Sequence, residues 1–219
     1  MLAQWMRRSK RIFMPNISNE DAMIRIQQHK SASYAPRTYA NAHDGDVTAA
    51  FAVDYFTAGE KLTKKAAGER FIALPLQVEN IEVPAAENAE KLIAFMKEKN
   101  ARSINIAGNG IYTMTRFNWD QDRINQYLYD VLKIVHQEMD IQKVISGGQT
   151  GADIGGTIAA SCLNINTVTH MPKGFIQRHA EGKDESFTPN QIFEQIKSGM
   201  AKVFSADQEK IQSKNHNKL

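Results

Sequence analysis

Two hydrophobic periods alternate along the chain. Short, largely apolar runs at Val47 to Val53, Arg70 to Leu76, Ser103 to Ala107, Lys143 to Ser146 and Thr167 to His170 read as buried strands, with Pro75 closing the second. Between them, apolar residues recur at three-four spacing. Gly59 to Ala67 reads as a helix stopped by Gly68, and Ala85 to Lys99 as one with Leu92, Ile93, Phe95 and Met96 facing inward. Asp120 to Met139 carries Ile124, Leu128, Val131, Leu132 and Val135 on one face; Gly151 to Leu163 and a segment opening near Pro189 complete the set. Ile17 to His29 also has helical spacing, with Ser18 or Asn19 as N-cap. Strands alternating with crossover helices predict an α/β fold, a Rossmann-like three-layer sandwich around a mostly parallel sheet. The expected organisation is a basic N-terminal tail and helix over 1–33, one domain over 34–204, and a polar, fraying tail over 205–219.

Composition narrows this picture. The chain has 219 residues, 42% of them hydrophobic, which suits one large domain. No apolar run approaches the ~20 residues that cross a bilayer. The basic start (Arg7, Arg8, Lys10, Arg11) has no apolar segment behind it, so it is not expected to be a signal peptide. Cys162 is the single cysteine, which excludes a disulfide framework and favours a reducing, cytoplasmic setting. Its place on a helix's apolar face marks it as a core residue. The net charge of +3 is weak evidence for a polyanion partner. Trp5 to Arg11 mixes aromatics and cations, but no basic stripe continues it, so a nucleic-acid-binding domain is the weakest of the functional alternatives and nucleic acid is not the expected partner. The six histidines lack ligand spacing, and no metal is expected. A homo-oligomer stays open.

The chemistry concentrates in two glycine loops. Lys143-Val-Ile-Ser-Gly-Gly-Gln-Thr-Gly-Ala-Asp153 is a strand, a turn and a helix start. Gly147 and Gly148 permit backbone conformations closed to other residues, and the helix behind them directs N–H groups and the positive end of its dipole at the loop. Together these make an anion site at the carboxyl edge of the sheet. The motif is neither a Walker A loop nor a strict G-x-G-x-x-G. A second loop, Ile104-Asn-Ile-Ala-Gly108-Asn109-Gly110, ends the third strand; Asn105 and Asn109 either bond a ligand or shape the turn. Two acidic residues stand at helix starts. Asp153 after Thr150 and Glu60 after Thr57 both have capping-box spacing, and both also suit sugar-hydroxyl binding or general base chemistry.

The combination resembles a known family. Val144 to Asp153, then Met171-Pro-Lys-Gly-Phe175 and Ala180-Glu181, is similar to the opening of putative molybdenum-cofactor carrier and YpsA-like proteins. These belong to the SLOG superfamily, which includes the cytokinin-activating LOG phosphoribohydrolases. The family's later features stand upstream: Arg37-Thr38, Asn41 and Asp46-Val-Thr48, then Gly59 and Thr63 at a helix start, then Asn105-Ile-Ala-Gly108. The chain therefore resembles a circularly permuted YpsA-like domain, with the helix Asp120 to Met139 joining the ancestral ends. It departs from the family at Ala58, where a glycine is usual, and at Asn109-Gly110, where a proline-arginine pair is usual.

The resemblance implies a nucleotide or nucleotide-derived ligand and no required cofactor. Phosphate is expected against Gly147, Gly148, Gln149, Thr150 and Gly151, with Lys173 neutralising it. Arg37 and Thr38 are expected to hold a second phosphate or a carboxylate, and Asp46 and Glu60 to face the sugar. Gly59, Thr63, Gly108 and Asn109 complete the expected ligand contacts. Arg178 and His179 are either a cover or merely exposed loop residues. Two classes of function follow: a sensor, carrier or sequestering protein without chemistry, and a LOG-like hydrolase of an N-glycosidic bond with Glu60 or Asp153 as catalytic carboxylate. An incomplete P-G-G-x-G-T-x-x-E signature favours the first.

Overall fold

The computed structural model describes residues 24–31 and 33–216. Six strands form one sheet: β1 (Ile24–Gln28), β2 (Val47–Ala52), β3 (Phe71–Pro75), β6 (Ser103–Gly108), β7 (Lys143–Ser146) and β8 (Asn166–Met171). Two small hairpins, β4 (Gln77–Val78) with β5 (Ile81–Glu82) and β9 (Ile176–Arg178) with β10 (Asp184–Ser186), stand outside it. The sheet order is β1-β8-β7-β6-β2-β3, and every pair in it is parallel. All six residues of β2 are buried, as expected of a strand covered on both faces.

Helices α1 (Tyr34–Asp44) and α2 (Ala58–Ala67) pack together on one face of the sheet. On the other lie α3 (Ala85–Glu98), α5 (Gln121–Met139), α6 (Ala152–Cys162) and α7 (Pro189–His216), each packed against the next; a short α4 (Ile111–Met114) follows β6. This is the expected three-layer sandwich. The five apolar residues read on one face of α5 are all buried, and Cys162 lies in the core. Asp120 caps α5 by accepting from the Arg123 N–H at 2.8 Å. Thr188 and Gln191 close a reciprocal box at the start of α7.

Three local features depart from the reading of the sequence or were absent from it. Ile24 to Gln28 is a strand, not the end of a helix: Ile24 and Ile26 alternate with polar residues and pack on the core, while the backbone pairs with β8. The rest of that expected helix, and the basic segment before it, lie outside the described residues. Second, α1 carries no apolar stripe, because the residues it buries are Arg37, Asn41 and Ala42. Third, the polar C-terminal tail is helical as far as His216. Asp207 holds Lys133 at 3.0 Å and Lys210 holds Asp130 at 2.7 Å, which ties this last stretch of α7 to α5.

The layers approach closely where side chains are absent. A methyl group at Gly156 would meet Ile106 Cγ2 at 2.5 Å, so α6 lies against β6 only because residue 156 lacks one. Gly59, on the first turn of α2, has nothing within 4 Å of the same position. Gly156→Ala should therefore destabilise the fold by about 1–3 kcal/mol despite alanine's better helix propensity. Gly59→Ala should be neutral or stabilise by up to about 1 kcal/mol. Urea unfolding midpoints of the two variants decide this; equal effects would mean that the α6–β6 contact is not tight.

Candidate functional site

The order of the sheet locates the cleft. From β2 the chain runs outward to β3, and from β6 it runs the other way to β7 and β8, so the loops leaving β2 and β6 diverge. Such a switch point opens a crevice at the carboxyl ends of the strands. A cavity of about 280 Å³ lies there, walled by α1, the start of α2, the end of β6 with α4, and the loop after β7. Of the residues expected to bind ligand, Arg37, Thr38, Gly59, Thr63, Gly108, Asn109, Gly147, Gln149 and Thr150 line it. Both expected carboxylates, Glu60 and Asp153, do so as well.

Four expected contacts are elsewhere. Asp46 sits at the opposite, amino-terminal edge of the sheet, where its carboxylate accepts from the Arg102 and Ser103 N–H groups at 2.9 and 2.8 Å. Burial works against its charge, but those donors and the Ser103 hydroxyl hold it below the usual carboxylate range. Lys173 is exposed on the turn after β8, and its N–H donates to Ser31 O at 3.3 Å. Gly148 has φ +67, and a side chain on it would run into Thr169 and Met171 of β8. Gly151 has φ +100 and faces the backbone of Asn109, Gly110 and Ile111. These two glycines let backbone approach protein rather than ligand.

The hydrogen bonds of the glycine loop explain why. Gly148 N–H donates to Ser146 Oγ at 3.2 Å and Gly151 N–H to Gln121 Oε1 at 2.6 Å. Ala152 N–H donates to Asn109 O at 3.1 Å and Ile154 N–H to Gln149 O at 2.9 Å. Protein acceptors thus take several of the donors that an anion would need. The hairpin β9–β10 lies directly on the loop. Gln149 Nε2 donates to Ile176 O at 2.6 Å, Gln177 Nε2 to Gly148 O at 2.8 Å, and the Thr150 hydroxyl to Arg178 O. Thr150 is therefore no helix cap, and its box with Asp153 is not formed: no side chain caps α6. Arg178 does line the cleft, with its guanidinium held on Asp184 through two bonds of 2.7 and 2.9 Å. His179 is paired with Glu185 at 2.7 Å.

Asn109 is a builder of the cleft. Its Oδ1 accepts from the Val53 and Asp54 N–H groups and its Nδ2 donates to Asp54 O, each at 2.9 Å. Asn109→Ala would strand two backbone donors and an acceptor in the switch-point loops. It should lower unfolding free energy by at least about 2 kcal/mol. A variant with unchanged denaturation would show that water replaces the side chain at no cost.

The cleft's charges sit on α1, α2 and α6. Arg37 is buried, donates to Gly147 O, and has an Nε with no partner. Burial lowers its pKa, and Asp153 partly restores it. A methyl at Gly147 would clash with the Asp153 carboxylate and meet Arg37 Nη1 at 2.8 Å, so this glycine admits both side chains. Asp153 is pushed up to about 6 by burial, against the pull of Arg37 and the Gln149 N–H. Glu60 is pushed up to about 8, first by burial and then by Asp153 and Asp54. Thr57 caps α2 by accepting from the Glu60 N–H at 3.2 Å, but the Glu60 side chain does not close the box: its Oε2 is buried without a partner. Sequence reasoning missed Tyr34 and Tyr112 in the wall and gave Asn41 there no role beyond the family motif. Asn41 Oδ1 accepts from His170 Nδ1–H at 2.8 Å, which makes this histidine a hydrogen-bonded support.

A family model described as the circularly permutated YpsA SLOG family matches residues 13–124. The chain belongs to that family. The matched half of this SLOG protein carries α1, β2, α2 and β6, hence Arg37, Glu60, Asn105 and Asn109; the glycine loop lies beyond it. No curated protein matches the chain. Among the described residues no helix is long and apolar enough to cross a membrane, and no three His, Cys, Asp or Glu residues are grouped to hold a metal.

The carboxyl pair gives stability a pH dependence. The folded state holds protons on Glu60 and Asp153 at pH values where the unfolded chain has released them, so their contribution is full in acid and is lost as pH rises. For Glu60 the window runs from its ordinary 4.5 to about 8. Glu60→Gln should be more stable than wild type near pH 8, with the gap closing toward pH 5. Thermal unfolding across this range tests it; a gap that is constant with pH would mean that Glu60 titrates normally.

Proposed function

We propose that the switch-point cleft binds a nucleotide or nucleotide-derived small molecule, with its sugar toward Glu60 and Asp153. The observation that carries this reading is a cavity at the topological switch point lined by polar side chains, the buried Arg37, Glu60 and Asn105 and the half-buried Asp153 among them. Membership of a SLOG family supports it. The phosphate end belongs toward Gly147, Thr150 and the rim, where Thr38 and Arg178 stand, since the inner donors of the glycine loop are already used.

One observation favours a second reading, hydrolysis of an N-glycosidic bond. Glu60 and Asp153 are two acids in the wall of one cleft, raised by burial to separated pKa values of about 8 and 6, the arrangement that assigns one group as acid and the other as base. At neutral pH Glu60 carries a proton for the departing base nitrogen. Asp153, largely ionised, steadies the developing sugar cation and takes a proton from the water that adds to the anomeric carbon. The base leaves with the bond electrons, and ribose phosphate remains.

Native mass spectrometry of the purified protein, followed by incubation with nucleoside 5′-monophosphates and cyclic nucleotides and chromatography of the products, separates the two. Recovery of an intact bound nucleotide is the expected result for a binding protein. Release of free base makes it a hydrolase, and Glu60→Gln should then slow release by roughly 10²–10⁴-fold while leaving affinity within a few-fold. No bound or consumed nucleotide in either format would overturn the proposal.

A further inference from the structure

Three side chains of the cleft wall each carry a buried polar atom without a partner: Nε of Arg37, Oε2 of Glu60 and Oδ1 of Asn105. Their residues are 5%, 3% and 3% exposed. Buried polar atoms are nearly always hydrogen-bonded, so three orphans around one cavity indicate a missing partner with matching polarity. The other half of the Asn105 amide is already engaged, Nδ2 donating to Thr48 Oγ1 at 3.2 Å across the β6–β2 pair. That bond holds the amide in place and leaves Oδ1 as its free end.

The three orphans differ in kind. Asn105 Oδ1 only accepts, Arg37 Nε only donates, and a carboxyl group at Glu60 does either according to its proton. Resting on the nucleotide reading above, we propose that the cleft floor recognises the vicinal diol of a ribose, and that Asn105 distinguishes it from a deoxyribose. Adjacent hydroxyls each donate once and accept as well, so a diol serves an acceptor and a donor together. A phosphate only accepts; it would leave Asn105 Oδ1 without a proton and face two carboxyl groups. The apolar face of a base would satisfy none of the three. Asn105 sits on β6, a central strand, where a rigid backbone fixes its amide better than a loop would.

The test uses calorimetric titration of the full chain. The four ribonucleoside 5′-monophosphates are titrated first, then the 2′-deoxy and 3′-deoxy forms of the tightest binder. Wild type should prefer the ribonucleotide over at least one deoxy form by about tenfold or more, because a site built around a hydroxyl rejects the analogue lacking it. In Asn105→Ala the preference should fall to within about threefold, through loss of ribonucleotide affinity alone. Asn105→Asp keeps an acceptor at the same place and should retain discrimination. Each ratio is measured within one protein, so a general folding defect, which weakens both ligands, does not imitate the result. Equal binding of ribo and deoxy forms to wild type would overturn the diol assignment and leave the nucleotide reading intact. Undiminished discrimination in Asn105→Ala would overturn the role of Asn105. Failure of all four ribonucleotides to bind would overturn this inference, and the nucleotide reading falls with it when the cyclic nucleotides also fail to bind.

Discussion

The cleft depends on one side-chain amide. Asn109 ties the loop after β2 to the loop after β6 through three bonds to Val53 and Asp54, and its backbone carbonyl receives the first N–H of α6. Gly110 and Gly151 form a bridge beside it, and Gln121 at the start of α5 grips both backbone groups of Gly151. Three connections that leave the sheet in different directions are therefore fixed to one another at the point where they diverge. The two acids of the cleft, Glu60 and Asp153, gain their geometry from this knot, since α2 and α6 begin immediately after the loops it joins.

This arrangement changes what the glycine loop is for. Phosphate loops in α/β proteins leave their N–H groups aimed at a ligand. Here Gly148 and Gly151 carry the positive φ angles of such a loop, but their bonds go to Ser146 and Gln121, and a hairpin is pinned on top. Gly147 is the member that meets the cavity, and it does so to make room for Arg37 and Asp153. The polar groups that face the cavity are mainly side chains of α1, α2 and β6 rather than backbone donors of this loop.

Hydrophobic period made the sheet and most helices legible, because β2, α3, α5 and α6 bury apolar residues at regular intervals. The same signal failed at α1 for an informative reason. Its inward residues are Arg37 and Asn41, so the helix serves the site and shows no apolar stripe. Glu60 and Asp153 were visible as acids at helix starts, but capping and function share the spacing T-x-x-D/E; only the unpartnered Glu60 oxygen and the engaged Thr150 hydroxyl separate them. Asp46 and Lys173 were drawn into the site by motif resemblance. Motif order carries no information about which edge of a sheet a residue occupies, and Asp46 precedes β2; Lys173 shares the cleft's carboxyl edge but stands outside its lining, on the turn after β8.

The pairing of β1 with β8 has a consequence for how the molecule is made. Partners in this pair are separated by 143 residues, whereas β6 and β7 are joined directly through α4 and α5. Contacts close in sequence form early and distant ones late, so the β6–α5–β7 wall assembles from local chain while β1 waits. During synthesis β1 emerges long before the strand it needs. Its alternation of isoleucines with Arg25, Gln27 and Gln28 leaves it short and half polar, a segment poorly suited to capture a neighbouring nascent chain in the interval. The edge of this sheet is thus the last part of the domain to close, and its sequence is one that can afford the delay.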